Sequence, residues 1–154
     1  MAKLAVGKKV PDFKLPSTNG DFRLEEHKGD RIVLYFYPKD STPGCTLEGQ
    51  DFRDQHQKFR RRKTRVFGIS RDSLKSHENF KAKQKFPFEL LSDPDEKVCK
   101  LFDVMKEKNM YGRKVIGIER STFLIDGQGI LRQEWRKVKV KGHVDEVLEA
   151  LKQL

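Results

Sequence analysis

Hydrophobic residues run without interruption over residues 32–38, IVLYFYP, and the run ends at a proline. A continuous apolar run of this length is typical of a strand that is buried on both faces. From Pro43 onward, apolar residues recur at nearly helical spacing as far as the basic run RRRK at 60–63, which predicts one helix. Residues 66–70, VFGIS, predict a second buried strand. The order strand, helix, strand predicts a β-α-β unit with parallel strands.

The alternation continues in the middle of the chain. Residues 73–85 have a helical composition, residues 88–93, FELLSD, predict a short strand, and residues 94–104 predict a helix with a proline in its first turn. The following segment, 105–118, gives no clear period, and we expect it to hold a loop and a short strand.

The last part of the chain predicts a hairpin and a closing helix. Residues 121–126, STFLID, and 130–136, ILRQEWR, flank the turn signal DGQG at 126–129 and predict two antiparallel strands. Residues 143–154 predict a helix whose apolar face consists of Val144, Val147, Leu148 and Leu151. These elements predict an α/β fold with a central mixed sheet flanked by helices. The 154 residues contain no repeat and no linker, so we expect one domain over 1–154.

Composition narrows the function classes. The first residues, MAKLAVGKKVPDF, contain no apolar segment typical of a signal peptide or membrane span, so we expect a cytoplasmic protein without membrane contact. Two cysteines do not make a disulfide framework, and a reducing compartment keeps them as thiols. The four histidines, at 27, 56, 77 and 143, lack metal-ligand spacing near either cysteine, so no metal site is predicted.

The net charge of +10 raises a rival interpretation, a basic nucleic-acid-binding protein. Basic clusters at 60–65, RRRKTR, and 136–143, RKVKVKGH, are the candidates. However, the first cluster ends a predicted helix, where cations are favourable, and the sequence shows no RNP, zinc-finger or helix-turn-helix pattern. Specific nucleic-acid binding is therefore the less favoured interpretation.

Cys45 stands where a buried strand is followed by a helix start, and the spacing predicts that its sulfur lies in the first helical turn. Free N–H groups at a helix start favour an anion such as a thiolate, and those of Gly44 and Cys45 are candidate donors to a substrate. The hydroxyl of Thr42 is a candidate to orient both groups. Small and polar neighbours favour an accessible pocket, whereas the alternative is an ordinary buried cysteine.

The residues around Cys45 resemble a known family. Pro38, Thr42 and Cys45 match the peroxiredoxin pattern P-x-x-x-[T/S]-x-x-C, and YPKDSTPGCT at 37–46 is similar to the peroxiredoxin Q group, also called bacterioferritin comigratory proteins. Further similar segments are PDFKLP, FGISRDS, FELLSD and GIERSTFLID. The resemblance implies a thioredoxin-like fold with an N-terminal β-hairpin. It also implies thiol peroxidase activity on hydrogen peroxide and organic hydroperoxides, without a metal or organic cofactor.

The resemblance also implies roles for individual residues. Cys45 would be the peroxidatic thiolate that is oxidised to a sulfenic acid. Thr42 would hydrogen-bond the thiolate and the peroxide, and Pro38 would shield the sulfur from water. Arg120 would favour the thiolate and polarise the peroxide. Glu48 matches a position where the wider family often has an acid that orients the arginine.

The sequence departs from the family at the resolving cysteine. Gln50 and Lys81 occupy the two positions where relatives carry that second thiol. Cys99 lies among apolar residues and is expected to be a buried structural cysteine. We therefore expect a one-cysteine cycle in a monomer, with glutathione, glutaredoxin or thioredoxin as reductant. The alternative is a two-cysteine cycle with Cys99 as an atypical resolving thiol.

A thioredoxin-type disulfide oxidoreductase is disfavoured among the redox alternatives. Such enzymes use a C-x-x-C motif, and here Thr42 occupies the position of the first cysteine of that motif.

Overall fold

The computed structural model describes residues 4–154, except for the side chain of Met110. Within this range strands and helices alternate along most of the chain. The elements are β1 (Lys14–Ser17), β2 (Gly20–Arg23), a 3-10 helix (Leu24–His27), β3 (Arg31–Phe36), α1 (Pro43–Asp54), α2 (His56–Arg61), β4 (Thr64–Ser70), α3 (Leu74–Gln84), β5 (Glu89–Ser92), α4 (Lys97–Leu101), β6 (Met105–Met110), β7 (Arg113–Ile118), β8 (Ser121–Ile125), β9 (Leu131–Trp135) and α5 (His143–Lys152).

Seven strands form one mixed sheet in the order β2-β1-β5-β4-β3-β8-β9. Strand β3 pairs with β4 in parallel and with β8 in antiparallel orientation, and β4 pairs with β5 in parallel. The antiparallel pair β1 and β2 is the expected N-terminal hairpin. The predicted mixed sheet is therefore confirmed, as is the β-α-β unit formed by β3, α1 and β4.

Side chains of β3 alternate between two cores, as the period of a strand requires. Ile32, Leu34 and Phe36 belong to one buried cluster, together with Cys99 of α4. Val33 and Tyr35 belong to the other, together with Cys45 and the buried residues of α2, α3 and α5. The sheet thus separates a Cys99 face from a Cys45 face.

Three predicted elements are corrected. The helix from Pro43 is interrupted at Gln55, whose φ of −108° and ψ of 13° are not helical. The helix over 94–104 is shorter, because Glu96 has a φ of 64° and the carboxylate of Asp93 accepts the N–H groups of Val98 and Cys99. Such a carboxylate caps a helix that begins at Lys97 rather than Pro94.

The third correction concerns the segment 105–118. It forms a complete hairpin of β6 and β7 instead of a loop and one strand. Tyr111 and Gly112 turn the chain with φ values of 54° and 77°, the two positive angles that a tight hairpin turn of this kind needs. Among the helices within residues 4–154, none is long and apolar enough to cross a membrane.

Candidate active site

Cys45 is the third residue of α1, which begins with Pro43 after the capping position Thr42. Proline suits the first helical position because the N–H that it lacks would have no helical partner. Within the described range, no protein group accepts from the N–H of Gly44 or Cys45. The predicted location of the sulfur in the first helical turn is confirmed.

The expectation that Cys45 lies in an accessible pocket is wrong, because the residue is only 2% exposed. Its side chain packs in the same cluster as Val33 and Tyr35, so the sulfur has apolar neighbours on its inner side. Small polar residues around a turn did not predict this, since burial depends on what packs against the turn. The thiol is therefore a buried group at the edge of the Cys45 face.

Arg120 lies in the short connection between β7 and β8 and reaches the sulfur. Its Nη2 is 3.4 Å from Cys45 Sγ, and its Nη1 donates to Glu48 Oε1 at 2.6 Å. Burial disfavours the charge of Arg120, yet the negative charges of Glu48 and Cys45 prevail and raise its pKa above the usual value. The guanidinium is therefore a permanent cation that joins the sulfur to a carboxyl group.

Gly44 leaves room for this cation. A Cβ atom at position 44 would lie 3.1 Å from Arg120 Nη2, closer than ordinary van der Waals contact. Any larger residue would push the guanidinium away from its present place beside Cys45. The glycine before the cysteine therefore has a steric reason.

Glu48 is fully buried, one helical turn after Cys45 on α1. Burial raises its pKa to about 7, although the neighbouring guanidinium of Arg120 acts in the opposite direction. Its Oε2 is buried, and in the part of the chain that the structure describes it has no hydrogen-bond partner. Glu48 thus contacts Arg120 as the resemblance implied, and it does so as an acid that titrates near neutrality.

Pro38 and Thr42 lie in the loop between β3 and α1, and both are partly buried. The Thr42 hydroxyl donates to the carbonyl of Lys39 at 2.8 Å, so its proton does not point to the sulfur here. Ser41 has a φ of 62°, a left-handed conformation that is uncommon for serine. The structure thus places Pro38 and Thr42 on the chain leading to Cys45 without a hydrogen bond to it.

Lys108 is a second cation near the site that the sequence did not predict. It stands on β6, in the segment for which the sequence predicted a loop and a short strand, and its ammonium donates to the carbonyl of Ile118. Burial and then the charge of Arg120 lower the pKa of Lys108, while the charge of Cys45 acts in the opposite direction. The β6–β7 hairpin brings Lys108 close to Arg120, and nothing in the sequence around Lys108 predicted this hairpin.

Cys99 is fully buried on the opposite face of the sheet. Burial, followed by the nearby carboxylate of Asp93, raises the pKa of its thiol far above the usual value. The expectation of a buried cysteine is confirmed.

Polar side chains occupy the two positions at which the resemblance implied a resolving thiol. Gln50 donates to Gln84 Oε1 at 2.9 Å, and Lys81 Nζ lies 2.5 Å from Glu89 Oε1.

One cluster on the Cys45 face has residue types that bind metals. Asp40, Asp72 and His77 have candidate ligand atoms within 4.8 Å of one another. However, Asp40 Oδ2 and His77 Nδ1 are 2.7 Å apart, a hydrogen-bond distance. Two ligands of a tetrahedral zinc ion at about 2.0 Å from the metal are roughly 3.3 Å apart. The cluster fits a hydrogen-bonded network better than a metal site.

Comparison with known proteins agrees with this geometry. The model of the AhpC/TSA family matches residues 6–134. The chain is 60% identical to peroxiredoxin Bcp of Xanthomonas campestris over 129 aligned residues. These residues make up 84% of this chain and 81% of that protein. It is 50% identical over 152 residues to peroxiredoxin Bcp of Bacillus subtilis, covering 98% and 97% of the two chains.

Solved structures show the same relationship. A cysteine-to-serine mutant of peroxiredoxin Q from Xylella fastidiosa superimposes with a TM-score of 0.93 and 44% identity, covering 99% of this chain and 98% of that one. A second structure is that of the bacterioferritin comigratory protein of Xanthomonas campestris, which was described in connection with its alkyl peroxide reduction activity. It superimposes with a TM-score of 0.87 and 55% identity, covering 92% of this chain and 90% of that one. The thioredoxin-like fold is confirmed by these neighbours. The chain belongs to the AhpC/TSA family and, within it, to the Bcp and peroxiredoxin Q group of thiol-dependent peroxidases.

Proposed function

We propose that Cys45 is the peroxidatic thiol and that the enzyme works by a one-cysteine cycle with an external thiol as reductant. The observation that supports this best is the guanidinium of Arg120, which lies 3.4 Å from Cys45 Sγ and is held by Glu48. A fixed cation beside a thiol favours the thiolate and the negative charge that develops on a peroxide oxygen.

In the first step, the thiolate of Cys45 attacks one oxygen of the hydroperoxide and forms an S–O bond. The O–O bond breaks, and its electron pair leaves with the second oxygen, which takes up a proton and departs as water or an alcohol. The sulfur is oxidised to a sulfenic acid while the peroxide is reduced. Arg120 and the free N–H groups of Gly44 and Cys45 stabilise the charge on the leaving oxygen.

Pro38 and Thr42 complete the proposed site. Pro38 keeps water from the sulfur, and Thr42 turns its hydroxyl from the carbonyl of Lys39 to the bound peroxide. This rotation replaces one hydrogen bond to an oxygen with another, so its cost is small compared with that of leaving the donor unpaired. The location of the Thr42 hydroxyl on the loop that leads to Cys45 supports this role.

The location of Cys99 favours an external reductant. A bridge between Cys45 and Cys99 would have to connect opposite faces of the seven-stranded sheet. The thiol of Cys99 is also buried, and its raised pKa leaves it protonated and a poor nucleophile. Thioredoxin, glutaredoxin or glutathione therefore reduces the sulfenic acid of Cys45 in this proposal.

The proposal extends to the substrate and the setting of the enzyme. We include hydrogen peroxide and organic hydroperoxides as substrates, because the similar Xanthomonas protein is described as reducing alkyl peroxides. The chemistry that we assign uses no cofactor. The chain acts as a single-domain monomer in the cytoplasm.

Peroxide turnover with each reductant, compared among wild type, Cys45→Ser and Cys99→Ser, tests the cycle. We expect no turnover for Cys45→Ser and turnover within about twofold of wild type for Cys99→Ser, because Cys99 takes no part. Mass spectrometry of the protein after peroxide treatment without reductant should show oxidised Cys45 and reduced Cys99. An intramolecular Cys45–Cys99 disulfide as the main product would overturn the one-cysteine cycle.

A further inference from the structure

Asp40 lies in the loop between β3 and α1, between Pro38 and Thr42, and its side chain is buried. Its Oδ1 accepts from the hydroxyl of Tyr37 at 2.6 Å, and its Oδ2 accepts from the hydroxyl of Ser76 at 2.8 Å. Its backbone N–H donates to Asp72 Oδ2 at 2.9 Å. One of these three hydrogen bonds stays within the loop, and the other two connect its middle to Asp72 and to Ser76 of α3.

His77 makes a further connection and is fully buried. Its Nδ1 lies 2.7 Å from Asp40 Oδ2, and its Nε2 lies 2.8 Å from the carbonyl oxygen of Leu91. A carbonyl oxygen has no proton to give, so Nε2 is the donor in that bond. The imidazole is thereby oriented by β5, and its other nitrogen points at the loop.

The contact between His77 and Asp40 needs a proton of its own. If the ring is neutral with its proton on Nε2, Nδ1 carries a lone pair, and a carboxylate oxygen 2.7 Å away would repel it. The pair is therefore either an imidazolium with a carboxylate or a neutral imidazole with a carboxylic acid. In both forms a hydrogen bond joins α3 to the loop.

We infer that His77 is a positioning residue for the peroxidase reaction, which acts through Asp40 to fix Pro38 and Thr42 above Cys45. The inference rests on the proposed role of Cys45. Asp40 is two residues from both Pro38 and Thr42, so a shift of its carboxylate moves the short segment that they share. Small displacements of a positioned group are known to slow enzymes by as much as about 100-fold.

The alternative is a buried polar network that only stabilises the fold. Two amide variants of His77 separate the alternatives, because asparagine places its NH₂ close to the position of Nδ1, and glutamine places its NH₂ close to that of Nε2. His77→Asn keeps a hydrogen-bonding group beside Asp40 and loses the bond to Leu91. His77→Gln keeps the bond to Leu91 and leaves Asp40 without a partner at the position of Nδ1. Each variant therefore loses one buried hydrogen bond.

Single-turnover oxidation by hydrogen peroxide, corrected for the folded fraction, is the measurement. We expect His77→Gln to react about 10- to 100-fold more slowly than wild type, and His77→Asn to stay within about threefold. The same order is expected for the rate of Cys45 alkylation by iodoacetamide, which needs no peroxide. Equal rates in the two variants would show a purely structural role and overturn the inference.

Two serine variants keep the test available if His77→Gln does not fold. Ser76→Ala removes one hydrogen bond to Asp40, whereas Ser73→Ala removes the helix cap, since Ser73 Oγ accepts the N–H of Ser76. We expect Ser76→Ala to slow oxidation about threefold. Ser73→Ala should lower the melting temperature by about 3 °C and leave the rate unchanged. The opposite pattern, or no effect of Ser76→Ala, would overturn the inference.

A negative result for the positioning role of His77 can be told apart from failure of the function proposed for Cys45. If Cys45→Ser consumed peroxide as fast as wild type, the proposed function would be wrong, and alkylation of Cys45 would still report how His77 positions the loop. If Cys45→Ser is inactive while the His77 variants react equally, the function stands and the positioning role is wrong.

Discussion

Cys45 and Cys99 occupy the same local position in two different helices. Cys45 is the third residue of α1, and Cys99 is the third residue of α4. In α4 the carboxylate of Asp93 accepts the N–H groups of Val98 and Cys99 at 3.0 and 2.8 Å. In α1 no described protein group accepts the N–H of Gly44 or Cys45, and a guanidinium lies beside the sulfur instead. The same position at the start of a helix therefore gives the two thiols different charged surroundings.

The difference lies in the charge that already occupies each helix start. Burial in an apolar core, followed by the carboxylate of Asp93, raises the pKa of the Cys99 thiol, and the same carboxylate accepts two N–H groups of α4. At α1 no described protein group accepts the N–H of Gly44 or Cys45, and the guanidinium of Arg120 lies 3.4 Å from the sulfur. The charged neighbour of Cys45 is Arg120, which comes from a distant part of the chain, whereas that of Cys99 is Asp93, which precedes it by six residues.

The largest effect is expected from removing the cation that distinguishes the two cysteines. Arg120→Met should slow oxidation of Cys45 by hydrogen peroxide about 100- to 1,000-fold, the usual cost of losing a group that stabilises developing charge. Stopped-flow measurement of the second-order rate constant checks this. Arg132→Met is the matched control, because Arg132 is half exposed and pairs with Asp126 away from the site. A loss below about fivefold for Arg120→Met would contradict the comparison.

The next effect concerns the acid that holds Arg120. The pKa of Glu48 is raised from 4.5 to about 7 by folding, so the folded protein keeps a proton that the unfolded chain loses at lower pH. Unfolding therefore releases a proton between about pH 4.5 and 7, and rising pH lowers the free energy of unfolding by up to about 3 kcal/mol across this range.

Glu48→Gln should remove this part of the pH dependence of the free energy of unfolding, because glutamine does not titrate. Urea unfolding of wild type and variant at several pH values measures the difference between their free energies of unfolding. Glu149→Gln is the control, since Glu149 is mostly exposed and should leave the pH dependence as in wild type. Parallel curves for wild type and Glu48→Gln would mean that Glu48 keeps an ordinary pKa.

A smaller effect is expected from filling the space that Gly44 leaves for Arg120. Gly44→Ala places a Cβ 3.1 Å from Nη2, which should displace the guanidinium and slow peroxide oxidation about 10-fold. Alanine in a helix is about 0.5–1 kcal/mol more favourable than glycine, so the melting temperature should stay the same or rise. A slower and equally stable enzyme would support the steric role, and an unchanged rate would contradict it.

Local patterns predicted most of the fold. The buried strands β3, β4 and β8 and the helix α5 follow from apolar runs and helical spacing, which short stretches of chain contain in full. The interruption at Gln55 and the short α4 were not predicted, because the spacing of apolar residues does not report a single non-helical residue or a cap from Asp93. The β6–β7 hairpin was missed because most of its side chains are partly or largely exposed and show no period.

The sequence by itself determined that a cysteine follows a buried strand at a helix start and that the two family positions for a resolving thiol lack sulfur. It also determined the family, through the segments that match it. Only the tertiary structure decided that Arg120, paired with Glu48, lies beside Cys45, that Lys108 lies near these charges, and that Cys99 lies on the other side of the sheet. The physical reason is that spacing along a chain describes one element at a time, whereas charges act across the space between elements that packing brings together.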